Sequence, residues 1–288
     1  MNNTNRFVWL NGAVVSNTEA LLQADTKGLM YGAGCFETLR LRSGKFLHLN
    51  MHADRFFRGL DYLGVHTSEF PDKELLKKAI LHLLEKNGLF HIDSIVRMQA
   101  ALKGGRGYHI GQDDGINLFI SAEPAGLLKK EYSLYGANTR VVPSECRPSG
   151  LKLSNALHYM QAWREAERNG DDDALMLTVN GRIAETAVAN LFWKKGDTII
   201  TSSPDDDILP GLMREIVMKL LKRSKSFRVR EVSEGPESLD DAELVWITNS
   251  VKEIQPVTRI GERIYPFESS FYAFIYEAFE SYKKINLD

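Results

Sequence analysis

Apolar positions along the chain change their period several times, and each change marks an element. "FVWLNGAVV" at 7–15 places apolar runs on both sides of Asn11-Gly12, a pair that tolerates the positive φ of a type I′ turn, so the chain opens on a β-hairpin. "CFETLRLRSGKFLHL" (35–49) alternates on either side of Ser43-Gly44-Lys45 and predicts a second hairpin. The period then lengthens. "NMHADRFFRGLDYLG" (50–64) has helical spacing and ends on a glycine, and "FPDKELLKKAILHLLEKNG" (70–88) predicts an amphipathic helix capped near Asp72 and stopped at Gly88. "SIVRMQAAL" (94–102) and "INLFIS" (116–121) read as strands flanking the glycine-rich "KGGRGYHIGQDDG".

These elements make a small N-terminal α/β unit over residues 1–121. Residues 122–133, "AEPAGLLKKEYS", mix Pro, Gly and charge and are expected to be a linker. A second, larger unit then runs from 134 to 288. In it "ALMLTVNGRIAETAVANLFWKKGDTIIT" (174–201) predicts a meander of short strands broken at Asn-Gly and Lys-Gly-Asp. "LPGLMREIVMKLLKRS" turns at Pro210-Gly211 into a helix, "ELVWITNSVKEIQPV" is a strand ending in a polar turn, and "SSFYAFIYEAFESYKK" is a closing amphipathic helix. The fold class expected is therefore α+β, in two domains.

Composition narrows the partners. Of 288 residues, 36 are basic and 38 acidic, giving a net charge of −2 without long blocks of one sign; neither nucleic acid nor an anionic membrane is attracted by such a surface. Small molecules become the expected ligands. Cys35 and Cys146 stand far apart with no Cys or His at metal-ligand spacing, and the seven histidines form no paired motif, so no metal and no disulfide are expected. No apolar run is long enough for a membrane span and the amino end has no signal-peptide pattern, which makes a cytoplasmic location the expectation.

Candidate chemistry lies mainly in the second unit. In "GLKLSN" (150–155), Lys152 sits between an extended segment and the helix "ALHYMQAWREAERNG", for which Ser154 or Asn155 is the expected cap. A lysine drawn out of water loses proton affinity, and a neutral amine can form a Schiff base with a carbonyl; a solvated lysine before a helix is the plainer alternative. Glu185 ends the strand "RIAE" on the face of Ile183, where a buried carboxylate needs a partner such as an arginine or a protonated pyridine nitrogen. In "ILPGLMRE" the first-turn N–H groups of Leu212 and Met213 suit an anion, as does the turn at Asn249, Ser250 and Val251. Arg55, in "HADRF", could add positive charge. Lys103, Arg106, Tyr108 and His109 surround the flexible "GGRGY" loop, which lacks the order of a P-loop, and "GAGCFE" (32–37) has Glu37 where a dinucleotide fingerprint needs its third glycine.

Taken together, "YGAGCFETLR", "HADRF", "GLKLSN", "NGRIAETAVANLFW", "ILPGLMRE" and "ITNSVKEIQPV" resemble, in order and rough spacing, the class IV aminotransferase family of fold-type IV pyridoxal phosphate enzymes. That family includes branched-chain aminotransferases, D-amino acid aminotransferases and 4-amino-4-deoxychorismate lyases. The resemblance implies a homodimer of two-domain chains, with pyridoxal 5'-phosphate as cofactor and a β-barrel-like C-terminal domain. It implies that Lys152 is the catalytic Schiff-base lysine and that Glu185 faces the pyridine nitrogen. Arg55 and the backbone of Leu212, Met213, Ser250 and Val251 would hold the phosphate. Tyr31, Arg97 and Arg106 become candidates for the small-molecule amino substrate. Within the family, "GGRGY" and "ANLFWKKGD" are most similar to the lyases, which release 4-aminobenzoate and pyruvate for folate synthesis. Branched-chain enzymes usually place a tyrosine soon after the lysine, where this chain has Ala156. An amino acid transaminase, and a pyridoxal phosphate carrier without turnover, stay open as alternatives.

Overall fold

The computed structural model describes residues 6–65, 72–111, 114–267 and 269–287, and only the backbone of Ser269. Phe70 and Pro71 of the second expected helical segment, and Gln112 and Asp113 of the glycine-rich loop, lie outside the described residues. The chain divides into two compact units, Met1–Gly126 with Leu151–Asn155 and Asn286–Asp288, and Leu127–Gly150 with Ala156–Ile285. The division falls inside the segment read as a linker, but 122–133 is not all linker: one strand continues to Pro124 and another starts at Tyr132. Pro124 closes its strand opposite Ser94, at an end where a missing N–H is tolerated. Leu151–Asn155, which the sequence boundaries gave to the C-terminal domain, is part of the first unit.

In the first unit, β1 (Phe7–Leu10) and β2 (Ala13–Ser16) form the first expected hairpin, and β3 (Gly34–Arg42) and β4 (Lys45–Phe46) the second. Their turns are left-handed as required, with φ of 47° and 103° at Asn11 and Gly12 and of 48° and 76° at Ser43 and Gly44. Helices α1 (Lys27–Tyr31), α2 (Leu49–Tyr62) and α3 (Lys73–Lys86) and strands β5 (Ser94–Leu102) and β6 (Ile116–Pro124) complete it. Asp72 caps α3 by accepting from the Leu75 N–H at 2.8 Å. The sheet is antiparallel, in the order β2-β1-β6-β5-β3-β4. Strand alternation sends Leu39, Leu41, Val96, Met98 and Ile120 to the face covered by α2 and α3, where they pack with Phe56, Leu60, Ile80 and Leu83. Phe36, Thr38, Arg97 and Gln99 stand on the other, half-buried face.

The second unit contains β7 (Tyr132–Gly136), α4 (Leu157–Arg168), β8 (Asp173–Leu177), β9 (Ile183–Thr186), β10 (Asn190–Lys195), β11 (Thr198–Ser202), α5 (Leu212–Ser224), β12 (Arg228–Val232), β13 (Leu244–Asn249), β14 (Glu253–Ile260), β15 (Arg263–Ile264) and α6 (Ser269–Asn286). The expected meander is corrected here. β8 pairs with β9 and β10 with β11, but β9 and β10 are not ladder partners; the order is β12-β11-β10-β13-β14-β7-β8-β9. The sheet curls so that β9, at one end of that path, still packs against β10 and β11. Its interior is filled by Leu134, Leu175, Ile183, Leu191, Trp193, Val245 and Ile247. On the outer side Phe192 stacks on Trp246 at 5.4 Å, and Phe271 of α6 packs on the same indole.

Candidate active site

In the first unit, Lys152 rides on a short strip laid against the start of β3. The Phe36 N–H donates to the Lys152 carbonyl at 2.9 Å, the Ser154 N–H donates to the Gly34 carbonyl at 2.8 Å, and Leu153 bridges Cys35. Alternation buries Leu153 in the core and sends Lys152 the other way, with Nζ 4.8 Å from the centre of the Phe36 ring. Gly34 permits this approach: a Cβ there would stand 2.3 Å from the Ala100 carbonyl oxygen and 2.9 Å from Ser154 Oγ. Neither Ser154 nor Asn155 caps the following helix, whose N-cap is Ala156 without a side-chain bond. Ser154 Oγ instead accepts from Gln99 Nε2 at 3.0 Å, a tertiary partner that overrides the local capping signal.

The substrate candidates are also placed by this unit. Arg97 stacks on Phe36 with Cζ at 3.8 Å, and its Nε donates to Gln99 Oε1 at 3.0 Å. Burial lowers its proton affinity, and among the described residues it has no carboxylate partner. With Thr38 and Ser121 it lines a cavity of about 300 Å³. The Tyr31 hydroxyl accepts from the Gly107 N–H at 3.1 Å, and Lys27 holds the same loop through Asp114 at 2.9 Å and the Gly105 carbonyl at 3.2 Å. Arg106 is exposed on that loop.

Arg55 is enclosed with Glu37 and His52. Its Nε and Nη2 donate to the two Glu37 oxygens at 2.5 and 2.9 Å, and His52 Nδ1 lies 2.7 Å from Oε2. Burial alone would push the Glu37 carboxyl up; the hydrogen bonds from His52 and Arg55 outweigh it and hold the group at about 2. Any anion held by Arg55 thus meets a guanidinium already committed to a carboxylate. Glu37 shares the inward face of β3 with Cys35 and Leu39, a charge on an apolar face, and that signal could have found the cluster in the sequence.

In the second unit, Glu185 is 4% exposed on β9. Tyr159 of α4 donates to Oε1 at 2.6 Å, and Asn190 Nδ2 and the Leu209 N–H donate to Oε2 at 3.1 and 3.2 Å. Tyr159 and Asn190 were not singled out in the sequence; nothing in the spacing links position 159 to 185. Gly211 is the N-cap of α5 and gives it no side-chain cap, so the first-turn N–H groups of Leu212 and Met213 keep their capacity for an anion. At the second turn the expectation needs correction in part, because the Val251 N–H donates to Asn249 Oδ1 at 2.9 Å. Ser250 lies beside it. Thr248, on the strand against which α5 packs, has a buried hydroxyl without a hydrogen-bond partner among the described residues.

The profile of the family described as amino-transferase class IV matches residues 34–260. Aminodeoxychorismate lyase of Bacillus subtilis is 29% identical over 269 residues, covering 91% of this chain and 89% of its own. D-alanine aminotransferase of Listeria monocytogenes is 22% identical over 255 residues, covering 88% and 87%. Among solved structures, the branched-chain aminotransferase of Thermoproteus uzoniensis, determined with norvaline, matches with a TM-score of 0.88 at 25% identity over 98% of each chain. The residues present suit the cofactor of that family: an enclosed carboxylate for a ring N–H, an uncapped helix start and an orphaned hydroxyl for a phosphate. With a profile match across most of its length and the two-domain α+β architecture of fold-type IV, the chain belongs to the class IV aminotransferases, enzymes that depend on pyridoxal phosphate.

Proposed function

We propose that this enzyme is a 4-amino-4-deoxychorismate lyase, releasing 4-aminobenzoate and pyruvate and so serving folate synthesis. The observation that carries the reading is the likeness, over nine-tenths of the chain, to the Bacillus subtilis lyase. When bound, pyridoxal phosphate supplies a carbonyl for amines and a protonated ring that spreads the charge left on a deprotonated substrate carbon. Lys152 holds the cofactor covalently in the resting enzyme and then takes and returns the substrate proton at Nζ. Glu185 keeps the ring nitrogen protonated. The N–H groups of Leu212 and Met213, with Ser250 and the charge of Arg55, receive the phosphate, while the Val251 N–H stays with Asn249. Arg97 meets a substrate carboxylate, since it is the half-buried arginine with no acidic partner among the described residues. Tyr31 and Arg106 border the same substrate, and the active form is a cytoplasmic homodimer.

A second reading, an amino acid transaminase of the branched-chain or D-amino acid type, is favoured by the fit to the Thermoproteus uzoniensis structure. Purified holoenzyme given aminodeoxychorismate alone separates the two. Pyruvate formed without any 2-oxo acid acceptor supports the lyase; strict dependence on an acceptor, with amino acid donors as the better substrates, overturns it. Light scattering after gel filtration tests the dimer.

A further inference from the structure

Glu185 does not stand alone in the second unit. Its Oε1 accepts from a phenol 26 residues earlier in the chain, at 2.6 Å, the shortest of the three hydrogen bonds described to this carboxylate. Behind that phenol lies Arg147, which is buried, makes no ion pair among the described residues, and has its Cζ 5.7 Å from the Tyr159 ring centre. The Arg147 charge acts on the Tyr159 phenol, opposing the upward push of burial and of Glu185. The direction is fixed by chemistry: the phenol donates to the carboxylate, and the guanidinium charge beside the ring makes the phenol a stronger donor. His158, whose ring centre is 4.0 Å from that of Tyr159, does not compete as a cation, because burial and then the Arg147 charge pull it down to about 4. Tyr159 keeps its proton, pushed well above the ordinary value by burial and by Glu185 itself.

We propose that Tyr159, polarised by Arg147, is the positioning residue that orients the Glu185 carboxylate and keeps it ionised for the cofactor's ring nitrogen. The inference rests on the assignment of Glu185 to that nitrogen. Asn190 and the Leu209 N–H donate to one carboxylate oxygen and Tyr159 donates to the other, so these bonds to both oxygens oppose rotation about the last side-chain bond. The arrangement delivers the buried positive charge of Arg147 to Glu185 through one hydroxyl, without placing a cation where the protonated ring must sit.

The test uses holoenzyme and compares Tyr159→Phe, Arg147→Gln and Glu185→Gln with the parent, reading the equilibrium affinity for pyridoxal phosphate and the pH titration of the bound cofactor's visible absorbance. Loss of the hydroxyl makes Glu185 a stronger base and draws the shared proton off the ring, so less positive charge opposes the proton held at the Lys152 linkage. In Tyr159→Phe the midpoint is expected to move up by about one pH unit and affinity to fall roughly tenfold, with the melting curve of the apoprotein little changed. Arg147→Gln should shift the midpoint the same way by less, and it serves if Tyr159→Phe fails to fold. An altered Glu185→Gln titration beside unchanged Tyr159→Phe and Arg147→Gln curves overturns the positioning role. An unchanged Glu185→Gln titration overturns the assignment of Glu185 itself.

Discussion

Replacing Glu37 by glutamine isolates what the enclosed acid–base cluster contributes to the first unit. The carboxylate is fully buried, and despite that burial His52 and Arg55 hold it at about 2, against 4.5 for an ordinary glutamate. At 1.36 kcal/mol for each pH unit, the gap is worth about 3 kcal/mol. Because the folded value is depressed, this stability is fully present above pH 4.5 and is lost as the pH falls towards about 2. The glutamine side chain would keep the shape but leave the buried Arg55 guanidinium without its carboxylate, a loss on the order of 3–5 kcal/mol. At roughly 2–4 °C for each kcal/mol in a chain of this size, Glu37→Gln should melt about 6–20 °C below the parent at pH 7, followed by circular dichroism. The two curves should converge as the pH is lowered from 4.5 to 2. A variant melting within about 2 °C of the parent at pH 7 would falsify the claim that the ionised carboxylate compensates the buried Arg55 guanidinium.

Gly34→Ala would force the Lys152 strip or β5 to move, since the added carbon meets Ala100 and Ser154; about 1–3 kcal/mol of destabilisation and weakened cofactor binding are expected, and unchanged melting with unchanged cofactor titration would show that the close approach is unimportant. Lys152→Ala should abolish borohydride-fixed cofactor absorbance while leaving the fold intact by circular dichroism; retained fixation moves the attachment to another amine. Thr248→Val removes a buried hydroxyl that has no partner among the described residues. The apoprotein should be as stable or up to about 1 kcal/mol more so, whereas affinity for pyridoxal phosphate should fall. Equal affinity in calorimetry would remove Thr248 from the phosphate end.

Local signals carried the elements further than they carried the topology. Asn11-Gly12 and Ser43-Gly44 specify their hairpins because the turn residues and strand alternation act over a few positions. The partners of β10, by contrast, include β13, some fifty residues on, and the parallel pairing of β7 with β14 spans more than a hundred; no nearby pattern encodes either. Pro124 and Gly126 made a strand end look like linker. At the site, Ser154 had a strong local claim to cap α4 and lost it to Gln99, and the Val251 N–H was claimed by the Asn249 side chain, a habit of asparagine in turns. Glu37 lies on the apolar face of its strand, but in the sequence it was read only as the residue that breaks a dinucleotide fingerprint. Tyr159 was not legible, because its meaning comes from a strand formed later in the chain.

The strip from Leu151 to Asn155 has a practical bearing on how such enzymes can be recombined. It belongs to the first unit by its contacts, although the chain on both sides of it belongs to the second. A chimera spliced once, near residue 126, would carry a foreign strip against β3, and a bulkier residue in place of Gly34 would then press on whatever side chain the donor supplied at position 154. Any exchange of the N-terminal unit between relatives has to take this five-residue passenger along, so further junctions on either side of the strip, beside the one near residue 126, are a geometric requirement.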